Sequence, residues 1–552
     1  MTVMKGSQAI MEILRREGVE YVFGIPGATE VLFMDALEDC PDIKYILGLH
    51  EVIAMGMAEG YSRISGKVGV VNLHTCAGVA AAMPLLFNAF LGEVPLVVTA
   101  GQQDSRLFMQ EPALSGDLVG MAKRFSKWST EVIYAEDIPL AMRRAFKIAA
   151  QPPAGPVFVS LPQNIMSNDL NFAYTSSVRS FTHVRPDSDA VKKAAELIGK
   201  AQKPTIILET GVVTHQAVPE AVKLAELIGA RVYQPWMADV NFPTAHPLHM
   251  GDFDLFNPSI KEIIRSTDVL IVIAAQLFRP TVYSRESLLS DKTKIVQIDN
   301  NSWEMAKNYA VDAGILGHIK MSLAELNGAL EKGMSPQARE AAEARAAEIA
   351  AEKEATTAAL REKAEREKDQ VPVSVPWLMQ QLKDSLKPDT IVMDDCWSCS
   401  PTLRRTLDAT EPTSYQRTRR GGSIGWGMSG ALGAKLAAPD RPVVLLTGDG
   451  SAMWANQSLW TAAHYNIGVT YVICANASYT QVKLMKNMLL GEKAKGRTLG
   501  MELDEPRIDF CKMAQAMGVP GRKVERPEQL REAFDSAFES GKPNLIEVYL
   551  GK

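Results

Sequence analysis

The chain has 552 residues, which is long enough for two to four domains, each with a hydrophobic core of its own. Its 59 lysines and arginines nearly balance its 64 aspartates and glutamates, and the net charge of −5 comes without a basic tail, which argues against nucleic acid as a partner. The amino-terminal residues carry charges every few positions and lack the apolar run of a signal peptide or a membrane span, so we expect a soluble, cytoplasmic protein.

Residues 1–180 alternate short β-rich apolar runs with helical stretches. The runs read VEYVFGI, KVGVVNLH, VPLVVTAGQ and GPVFVSLP. This rhythm is typical of βαβ units around a parallel sheet, so we predict a first α/β domain. One predicted helix begins at Glu51 and is otherwise lined by valine, isoleucine and methionine, which would give a carboxyl group apolar neighbours. A glutamate in a first helical turn is more often a solvated partner of the helix dipole, and the pattern alone leaves both interpretations open.

Three further segments follow along the chain. The alternation restarts at PTIILETG and ends near residue 332, which predicts a second α/β domain over 181–332. Residues 333–370 are rich in Ala, Glu, Lys and Arg without a sustained apolar stripe, so we predict a solvated helical linker, with a partner-binding coiled coil as the less favoured alternative. Residues 371–552 return to β-rich runs and predict a third α/β domain. The fold class is therefore α/β, with three doubly wound parallel-sheet domains.

The six cysteines are too sparse for a disulfide framework in a chain of this length. Cys396 and Cys399 have the spacing of a redox dithiol or of half a zinc site, but the sequence holds no second CxxC and no close histidine pair to complete a metal cage. We therefore interpret the cysteines as reduced core residues.

The strongest chemical signal is RPVVLLTGDGSAMW, in which a predicted buried strand leads into Gly448, Asp449, Gly450 and Ser451, followed by a helix predicted over about 455–465. Glycines beside a carboxylate let the backbone approach phosphate oxygens, and a helix amino terminus offers N–H groups to the same anion. The next strand brings Asn476 to the same sheet edge after 26 intervening residues, a length that suits one helical crossover. Asp449 and Asn476 would then be adjacent oxygen ligands for a Mg²⁺ bridged to a diphosphate. GDG alone is a weak signal, because short glycine motifs recur by chance.

This stretch resembles the thiamine diphosphate-binding motif of the superfamily of pyruvate decarboxylase and acetolactate synthase, in which GDG is followed at a fixed distance by two asparagines. Ala475 stands where the family has its first asparagine, and Asn476 retains the second, which is the metal ligand there. Ser478 stands where the family supplies a carbonyl oxygen to the metal. The resemblance therefore implies thiamine diphosphate and Mg²⁺ as cofactors, with Asp449, Asn476 and Ser478 as metal ligands.

The resemblance also gives a role to GSIGWGMSGALG. Its glycines match a dinucleotide fingerprint, but no buried strand precedes them, so we reject a nicotinamide site. In the family the carbonyl at the position of Gly422 receives the cofactor's amino group, and the residue at Ile424 lies beneath the two rings and keeps them bent. Ser398, Gly450 and Ser451 are further cofactor-binding residues on the same resemblance.

In the superfamily the cofactor-activating glutamate follows a histidine and precedes a run similar to AEGYSR. Glu51 stands at this position, so the resemblance implies that Glu51 pairs with the pyrimidine ring of the cofactor. Within the superfamily the chain resembles the benzoylformate decarboxylases most, in FGIPGATE, VNLHTCAGVAAAM, VTAGQQ and SLWTAAHYNI. In that family a histidine at the position of His74 takes part in proton transfer, and imidazole suits such work near neutral pH.

Two features of the benzoylformate decarboxylases are missing. Ala28 stands where a serine binds the substrate carboxylate, and Thr281 stands nearest to the second active-site histidine. The glutamine that carboligating relatives place around Ala113 and Leu114 is absent as well. Apolar side chains are expected to line the pocket and favour a bulky apolar or aromatic substituent. Those predicted side chains are Leu114, Val482, Leu484 and Met485.

These observations predict that the first domain binds the pyrimidine end of the cofactor, the third binds its diphosphate, and the middle one is structural. We expect non-oxidative decarboxylation of a 2-oxo acid, with carboligation as an additional activity. The alternative is a carboligase or lyase similar to acetolactate synthase or benzaldehyde lyase, and a rival from another class is an inactive cofactor-binding scaffold. Glu51, Asp449 and Asn476 occur together, which argues against the scaffold.

The partners implied are small-molecule 2-oxo acids or aldehydes and further copies of the chain. In the resembling family the glutamate of one subunit reaches cofactor held by another, so the resemblance implies a homodimer as the minimum unit and favours a homotetramer. Flavin, which some carboligating relatives bind in the middle domain, has no clear motif.

Overall fold

The computed structural model describes residues 2–176, 183–254, 257–278, 283 and 287–551. Three six-stranded sheets, parallel throughout, form the framework of three domains. Helices cover these sheets, so their central strands are buried on both faces and are mostly apolar, whereas edge strands such as Lys44–Leu47 and Trp128–Glu131 are partly exposed. The predicted α/β class with three doubly wound domains is confirmed. Within the described ranges, no helix combines the length and apolar character that a membrane crossing requires.

The first domain contains a six-stranded sheet and an antiparallel pair of short strands. Its strands are β1 (Thr2–Lys5), β2 (Tyr21–Gly24), β3 (Lys44–Leu47), β4 (Gly69–His74), β5 (Leu96–Gln102), β6 (Trp128–Glu131), β7 (Val157–Pro162) and β8 (Asp169–Phe172). Its helices are α1 (Gly6–Arg16), α2 (Val31–Glu38), α3 (Glu51–Ser65), α4 (Thr75–Leu91), α5 (Leu118–Lys123), α6 (Ile138–Ala150) and α7 (Gln163–Ser167). The sheet has the order β3, β2, β4, β5, β7, β6, and β1 pairs with β8.

The middle domain and the linker come next. The strands are β9 (Pro204–Leu208), β10 (Arg231–Pro235), β11 (His249–Phe253), β12 (Val269–Ile273), β13 (Lys294–Asp299) and β14 (Ala313–Leu316), in the sheet order β11, β10, β9, β12, β13, β14. The helices are α8 (Ser188–Ile198), α9 (Gly211–Thr214), α10 (Val218–Ile228), α11 (Pro258–Ser266), α12 (Ile319–Gly333) and the linker helix α13 (Pro336–Arg366). The linker helix is largely exposed but buries Ala342, Ile349 and Ala364, so it packs onto its neighbours along one edge.

The third domain repeats the strand order of the first. Its strands are β15 (Ile391–Asp395), β16 (Tyr415–Arg417), β17 (Val443–Gly448), β18 (Val469–Ala475), β19 (Gly521–Val524) and β20 (Asn544–Tyr549), in the sheet order β16, β15, β17, β18, β20, β19. Its helices are α14 (Val375–Ser385), α15 (Ser400–Thr406), α16 (Trp426–Ala437), α17 (Asp449–Ala452), α18 (Ser458–His464), α19 (Thr480–Leu490), α20 (Phe510–Ala516) and α21 (Leu530–Ser540). The helix predicted over about 455–465 is thus shorter, and a separate turn of helix precedes it at Asp449.

The strand order of the first and third sheets determines where a ligand can bind. In each sheet the chain moves outward first to one side and then to the other, so the order reverses between β2 and β4 and between β15 and β17. Crevices open at the carboxyl ends of strands at such reversals, and ligands of doubly wound folds bind there. His74 ends β4, and Asp449 directly follows β17. Two of the predicted functional residues therefore lie at the reversal points of their sheets.

The first and third domains share one core through the contact of α3 with α16. Small residues bring the two backbones together: a Cβ on Gly60 would lie 2.0 Å from the Gly430 carbonyl oxygen, and one on Gly433 would lie 1.9 Å from that of Met57. Arg63, near the end of α3, lies 4.4 Å from the ring centre of Trp426, the first residue of α16. The two helices therefore run in opposite directions along their contact.

Asp239 of the middle domain joins all three domains. It is fully buried, and its carboxylate accepts hydrogen bonds from Arg63 Nη2 at 2.5 Å, from the Arg417 backbone N–H at 3.1 Å and from Arg419 Nε at 2.8 Å. A buried carboxylate requires such partners, because desolvation of an unpaired charge is very unfavourable. The neighbouring arginines lower the pKa of Asp239 although burial opposes them. This network fixes the segment that leads into the turn before α16.

Candidate active site

Asp449 lies at the carboxyl end of β17 and faces the end of β18. One carboxylate oxygen accepts the Gly450 N–H at 2.7 Å and the other accepts the Ala477 N–H at 2.5 Å, so the side chain is tied to both strand ends. Burial raises the pKa of Asp449, and the two backbone donors oppose that effect. A desolvated carboxylate of this kind gains strongly when a cation approaches it.

Asn476 follows β18. It lies beside Asp449, because the backbone N–H of the next residue, Ala477, donates to the Asp449 carboxylate. Its Oδ1 accepts the Ser478 N–H at 3.1 Å, and its Nδ2 donates to Thr480 Oγ1 at 3.0 Å. The carbonyl of Ser478 accepts the Thr480 N–H at 2.9 Å, which leaves one lone pair on that oxygen. The structure thus brings together the three oxygen donors that the sequence predicts as metal ligands: Asp449, Asn476 and Ser478.

The predicted cofactor residues around this cluster lie at neighbouring strand ends. Gly450 and Ser451 form the first turn of α17 and are buried, and Ser398 is half-buried three residues beyond β15. A Cβ on Gly450 would meet the ring of Tyr479 at 2.4 Å, so this glycine is required for packing of that ring. A Cβ on Gly448 would meet no atom within 4 Å, which shows open space beside Asp449.

The turn that contains Gly422 and Ile424 is held by Asp395, which ends β15. Its Oδ2 accepts the N–H groups of Gly425 at 2.8 Å and of Gly427 at 3.2 Å. Gly422 and Gly425 have φ values of 73° and 86°, which only glycine adopts without strain. Burial raises the pKa of Asp395 to about 7. Asp395 was not predicted as a site residue, although two adjacent carboxylates at a strand end were a signal for it.

Glu51 begins α3 in the first domain. The ring of His50 caps this helix by accepting the Val52 N–H at 3.1 Å, which fixes the turn from which Glu51 projects. A Cβ on Gly78 would lie 3.0 Å from Glu51 Oε1, so the carboxyl group lies against the first turns of α4. The residues that follow Glu51 in α3 are buried from Val52 to Ser62. The half-buried carboxyl group therefore borders a buried, largely apolar helix.

His74 forms a hydrogen-bonded unit with Glu30, which sequence reasoning missed. Its Nδ1 lies 2.7 Å from Glu30 Oε2 and 3.1 Å from Thr29 Oγ1. Glu30 is buried, and its carboxylate also accepts the Gly101 N–H at 2.8 Å and the Gly27 N–H at 3.1 Å. These contacts occupy Nδ1 and leave Nε2 as the ring nitrogen for another proton transfer.

Within one chain, the Glu51 group and the Gly422 turn lie near opposite ends of α4. Glu51 contacts Gly78, whereas Asn88 of the same helix accepts the Ser423 N–H at 3.0 Å. Ten residues of helix separate Gly78 from Asn88, or roughly 15 Å at 1.5 Å per residue. Because α3 and α16 run in opposite directions, Glu51 also lies at the end of α3 that is far from Trp426. One chain therefore keeps the two groups of predicted residues apart.

The predicted pocket residues that the structure describes are exposed, except Met485, which is half-buried. Ala28 opens the short turn that carries Glu30, and Leu114 is 51% exposed on the segment after β5. None of the residues of α19, all of them described, is buried. That helix carries Val482, Leu484 and Met485. Thr281 lies outside the described residues.

Comparison with known proteins decides the family. Residues 4–117, 191–326 and 398–548 match the models of the N-terminal TPP binding domain, the central domain and the C-terminal TPP binding domain of thiamine pyrophosphate enzymes. The chain is 31% identical to a benzoylformate decarboxylase of Pseudomonas aeruginosa over 98% of both proteins. The chain belongs to the thiamine pyrophosphate enzyme family. The resemblance stated from the sequence is therefore confirmed, and the two outer domains are the TPP-binding domains of this family.

Two further relatives of this thiamine pyrophosphate enzyme differ in the reaction that their names state. The chain is 28% identical to a probable acetolactate synthase large subunit of Methanocaldococcus jannaschii, over 99% of the chain and 92% of that protein. A solved thiamine diphosphate-dependent 4-hydroxybenzoylformate decarboxylase of Rhodococcus jostii superposes with a TM-score of 0.85 at 28% identity, with 99% of both chains covered. The family is thus clear, and the reaction has to be argued from the site.

Proposed function

We propose that this thiamine pyrophosphate enzyme catalyses Mg²⁺-dependent, non-oxidative decarboxylation of an aromatic or bulky apolar 2-oxo acid. The observation that carries the proposal is the unit of His74 and Glu30 at one sheet reversal together with the oxygen cluster of Asp449 at another. Two named relatives that cover nearly the whole chain are decarboxylases of aromatic 2-oxo acids, which supports this substrate class.

The donor set around Asp449 fits a magnesium ion and a diphosphate. Mg²⁺ prefers carboxylate, amide and carbonyl oxygens, and it usually shares its coordination sphere with phosphate oxygens and water. Asp449, Asn476 and Ser478 provide such oxygens, and the open space beside Gly448 leaves room for a bulky anion. Ser451 and Gly450 lie at a helix amino terminus that favours negative charge. These residues would hold the diphosphate end of the cofactor through the ion.

The residues of the other group would act on protons. Thiamine diphosphate, when bound, supplies the carbon that adds to the keto group and takes up the electrons released with CO₂. Glu51 would hold a proton at its carboxyl group against the pyrimidine ring, and His74 would transfer protons at Nε2 while Glu30 keeps Nδ1 occupied. Gly422 and Ile424 would orient the rings, because Asp395 and Asn88 fix the turn on both sides.

The active unit is proposed to be at least a homodimer, with a homotetramer as the expected assembly. A single chain separates Glu51 from the Gly422 turn, and a Cβ on Gly425 in that turn would lie 3.4 Å from the Ser451 carbonyl oxygen, so the turn borders the Asp449 cluster. A second copy in the opposite orientation would bring Glu51 of one chain to the turn and cluster of the other. Exposed apolar side chains lie on segments next to both groups. Met109 is 96% exposed and Leu114 is 51% exposed in the first domain, while Val482 and Leu484 are about half exposed on α19. A second copy would cover them.

A carboligase is the second candidate, and the relationship to acetolactate synthases supports it. The sequence places Thr281 nearest to the histidine that would share proton delivery with His74. If proton delivery is slow, an aldehyde can compete for the same reactive carbon, because both outcomes draw on one intermediate. The two candidates therefore differ in the ratio of products and share the same site.

The test is a panel of 2-oxo acids incubated with the holoenzyme, with and without an acceptor aldehyde. We expect CO₂ release to be fastest with aryl-substituted 2-oxo acids and to require both thiamine diphosphate and Mg²⁺. Products are quantified as free aldehyde and as 2-hydroxyketone at fixed acceptor concentration. If the enzyme prefers pyruvate and its main product is a 2-hydroxy-2-methyl-3-oxo acid, the result would favour the acetolactate synthase type. If no member of the panel is turned over, the result would contradict the proposed reaction.

A further inference from the structure

Three cysteines from distant parts of the sequence meet in the third domain. The Sγ atoms of Cys396, Cys399 and Cys474 all lie within 4.8 Å of one another, and all three side chains are buried. Cys396 directly follows β15, Cys399 precedes α15, and Cys474 lies near the end of β18. The CxxC spacing of Cys396 and Cys399 gives no indication of Cys474, which comes 75 residues later. No step of the proposed reaction uses these thiols.

The chemistry of the group selects a class of ligand. Among the described residues, no histidine, aspartate or glutamate joins the three thiols as a further donor within the same distance. Structural zinc sites are almost always four-coordinate, so three thiols without a fourth donor are a poor zinc site. Soft thiolates favour soft ions, and Cu(I) accepts two or three sulfur ligands. Sulfur atoms within 4.8 Å of one another can approach a common ion with little movement of the backbone.

One carboxylate beside the thiols is already engaged by other groups. Asp394 Oδ1 accepts the Cys396 N–H at 3.0 Å and the Ser400 hydroxyl at 2.7 Å. Arg417 lies 3.8 Å from its other oxygen. The carboxylate is thus already paired, and a Cu(I) ion among the thiols would neutralise one of the charges that the thiolates carry. Trp397 and Ser398, between the first two cysteines, are only half-buried.

We propose that Cys396, Cys399 and Cys474 form a binding site for Cu(I). Each sulfur that coordinates the ion releases its proton to solvent, and the oxidation state of the metal does not change. The site is close in sequence to the proposed cofactor residues, since Cys474 precedes Asn476 by two residues and Cys396 follows Asp395. It is nevertheless independent of the proposed function, because neither thiamine diphosphate nor a substrate is needed for sulfur to bind copper.

The experiment titrates the reduced full-length protein with Cu(I) held by a competing chelator, without thiamine diphosphate. We expect one tightly bound Cu(I) per chain, with only sulfur neighbours in X-ray absorption spectra. Cys399→Ala and Cys474→Ala should each weaken binding on the order of 100-fold or more, because each removes one ligand of the ion. Cys40→Ala and Cys511→Ala are matched controls outside the group and should bind as the parent does.

Several outcomes would overturn the site. A variant in which Cys396, Cys399 and Cys474 are all replaced by Ala should lose the site, so equal Cu(I) affinity in this variant and the parent would overturn it. The same holds if the two control variants lose as much affinity as the site variants, or if the bound copper has nitrogen or oxygen neighbours. Circular dichroism checks that each variant folds. If one variant does not fold, the other single variants and the absorption spectrum of the parent protein decide, because all three sulfurs are expected to contribute.

Discussion

A shared active site between two chains can be tested by combining two inactive variants. Glu51→Gln removes the proposed activating carboxyl group, and Asp449→Ala removes the proposed metal ligand. If the site combines Glu51 of one chain with Asp449 of the other, a mixed dimer of the two variants has one doubly altered site and one intact site. If each site lay within one chain, both sites of the mixed dimer would be damaged.

The geometry of one chain and the statistics of pairing together give the expected recovery of activity. Glu51 and Arg63 are twelve residues apart on α3, or roughly 18 Å, and Arg63 is the residue that lies over the first residue of α16. Glu51→Gln alone should lower kcat on the order of 10²- to 10⁴-fold, as is usual for loss of a proton-transfer group, and Asp449→Ala alone should be inactive at cofactor concentrations that saturate the parent, because it loses a metal ligand. Random pairing at equal amounts gives half mixed dimers with one active site in two, so about 25% of the activity of the parent should return.

The assay co-expresses the two variants with different affinity tags and isolates the mixed dimer by two purification steps. Such a dimer should show about half the decarboxylation rate of the parent per dimer. The matched control carries both substitutions in one chain paired with an unaltered chain, and a shared site makes this dimer inactive. Inactive mixed dimers together with a half-active control would refute the reasoning and place the site within one chain.

Three further predictions address single groups. Asp449→Ala should lose Mg²⁺-dependent binding of thiamine diphosphate in calorimetry while the surface variant Asp440→Ala keeps it, and equal affinity in both would contradict the metal assignment. Glu30→Gln keeps the shape of the side chain but removes the charge that holds His74. The kcat should therefore fall on the order of 10²-fold with a changed pH–rate profile, whereas KM should change little. A pH–rate profile identical to that of the parent would show that Glu30 has only a structural role. Burial raises the pKa of Glu59 to about 7 from 4.5, so the stability this group contributes is present below its unfolded pKa and is lost as pH rises through 7. The free energy of unfolding should therefore fall by up to about 3 kcal/mol more in the parent than in Glu59→Gln between pH 5 and 8, and equal slopes in chemical denaturation would contradict this.

The sequence was sufficient to predict the strand ends that carry the chemistry. The runs before His74 and Asp449 are short, apolar and followed by glycine or a capping residue, so they place these side chains at the carboxyl edge of a sheet without knowledge of the packing. The spacing between Asp449 and Asn476 fits one crossover, and the structure shows β17 and β18 as neighbours with Gly448 opposite Cys474. Local patterns are sufficient when function depends on adjacent strands.

Contacts between distant segments were beyond the sequence. Glu30 and His74 are 44 residues apart, and no periodicity indicates that a turn after β2 meets the end of β4. Asp239 is one of many acidic residues, and only the fold shows that arginines of two other domains converge on it. The opposite directions of α3 and α16 also follow from packing of small residues across two domains. The family resemblance implies a site between two chains, but only the structure shows the helix packing that separates the two residue groups within one chain.

Ala475 illustrates how a departure from the family motif can be compensated. The missing asparagine predicts the loss of a hydrogen bond beside the metal ligand. In the structure, Arg507 Nη2 donates to the Ala475 carbonyl at 3.0 Å, and the guanidinium lies 4.0 Å from the ring centre of Tyr549 on β20. Its charge also acts on Asp449, where it opposes the effect of burial on the pKa of that carboxyl group. The end of β18 is therefore held by a charged group from a later segment, so the position of Asn476 does not depend on the asparagine that the motif lacks.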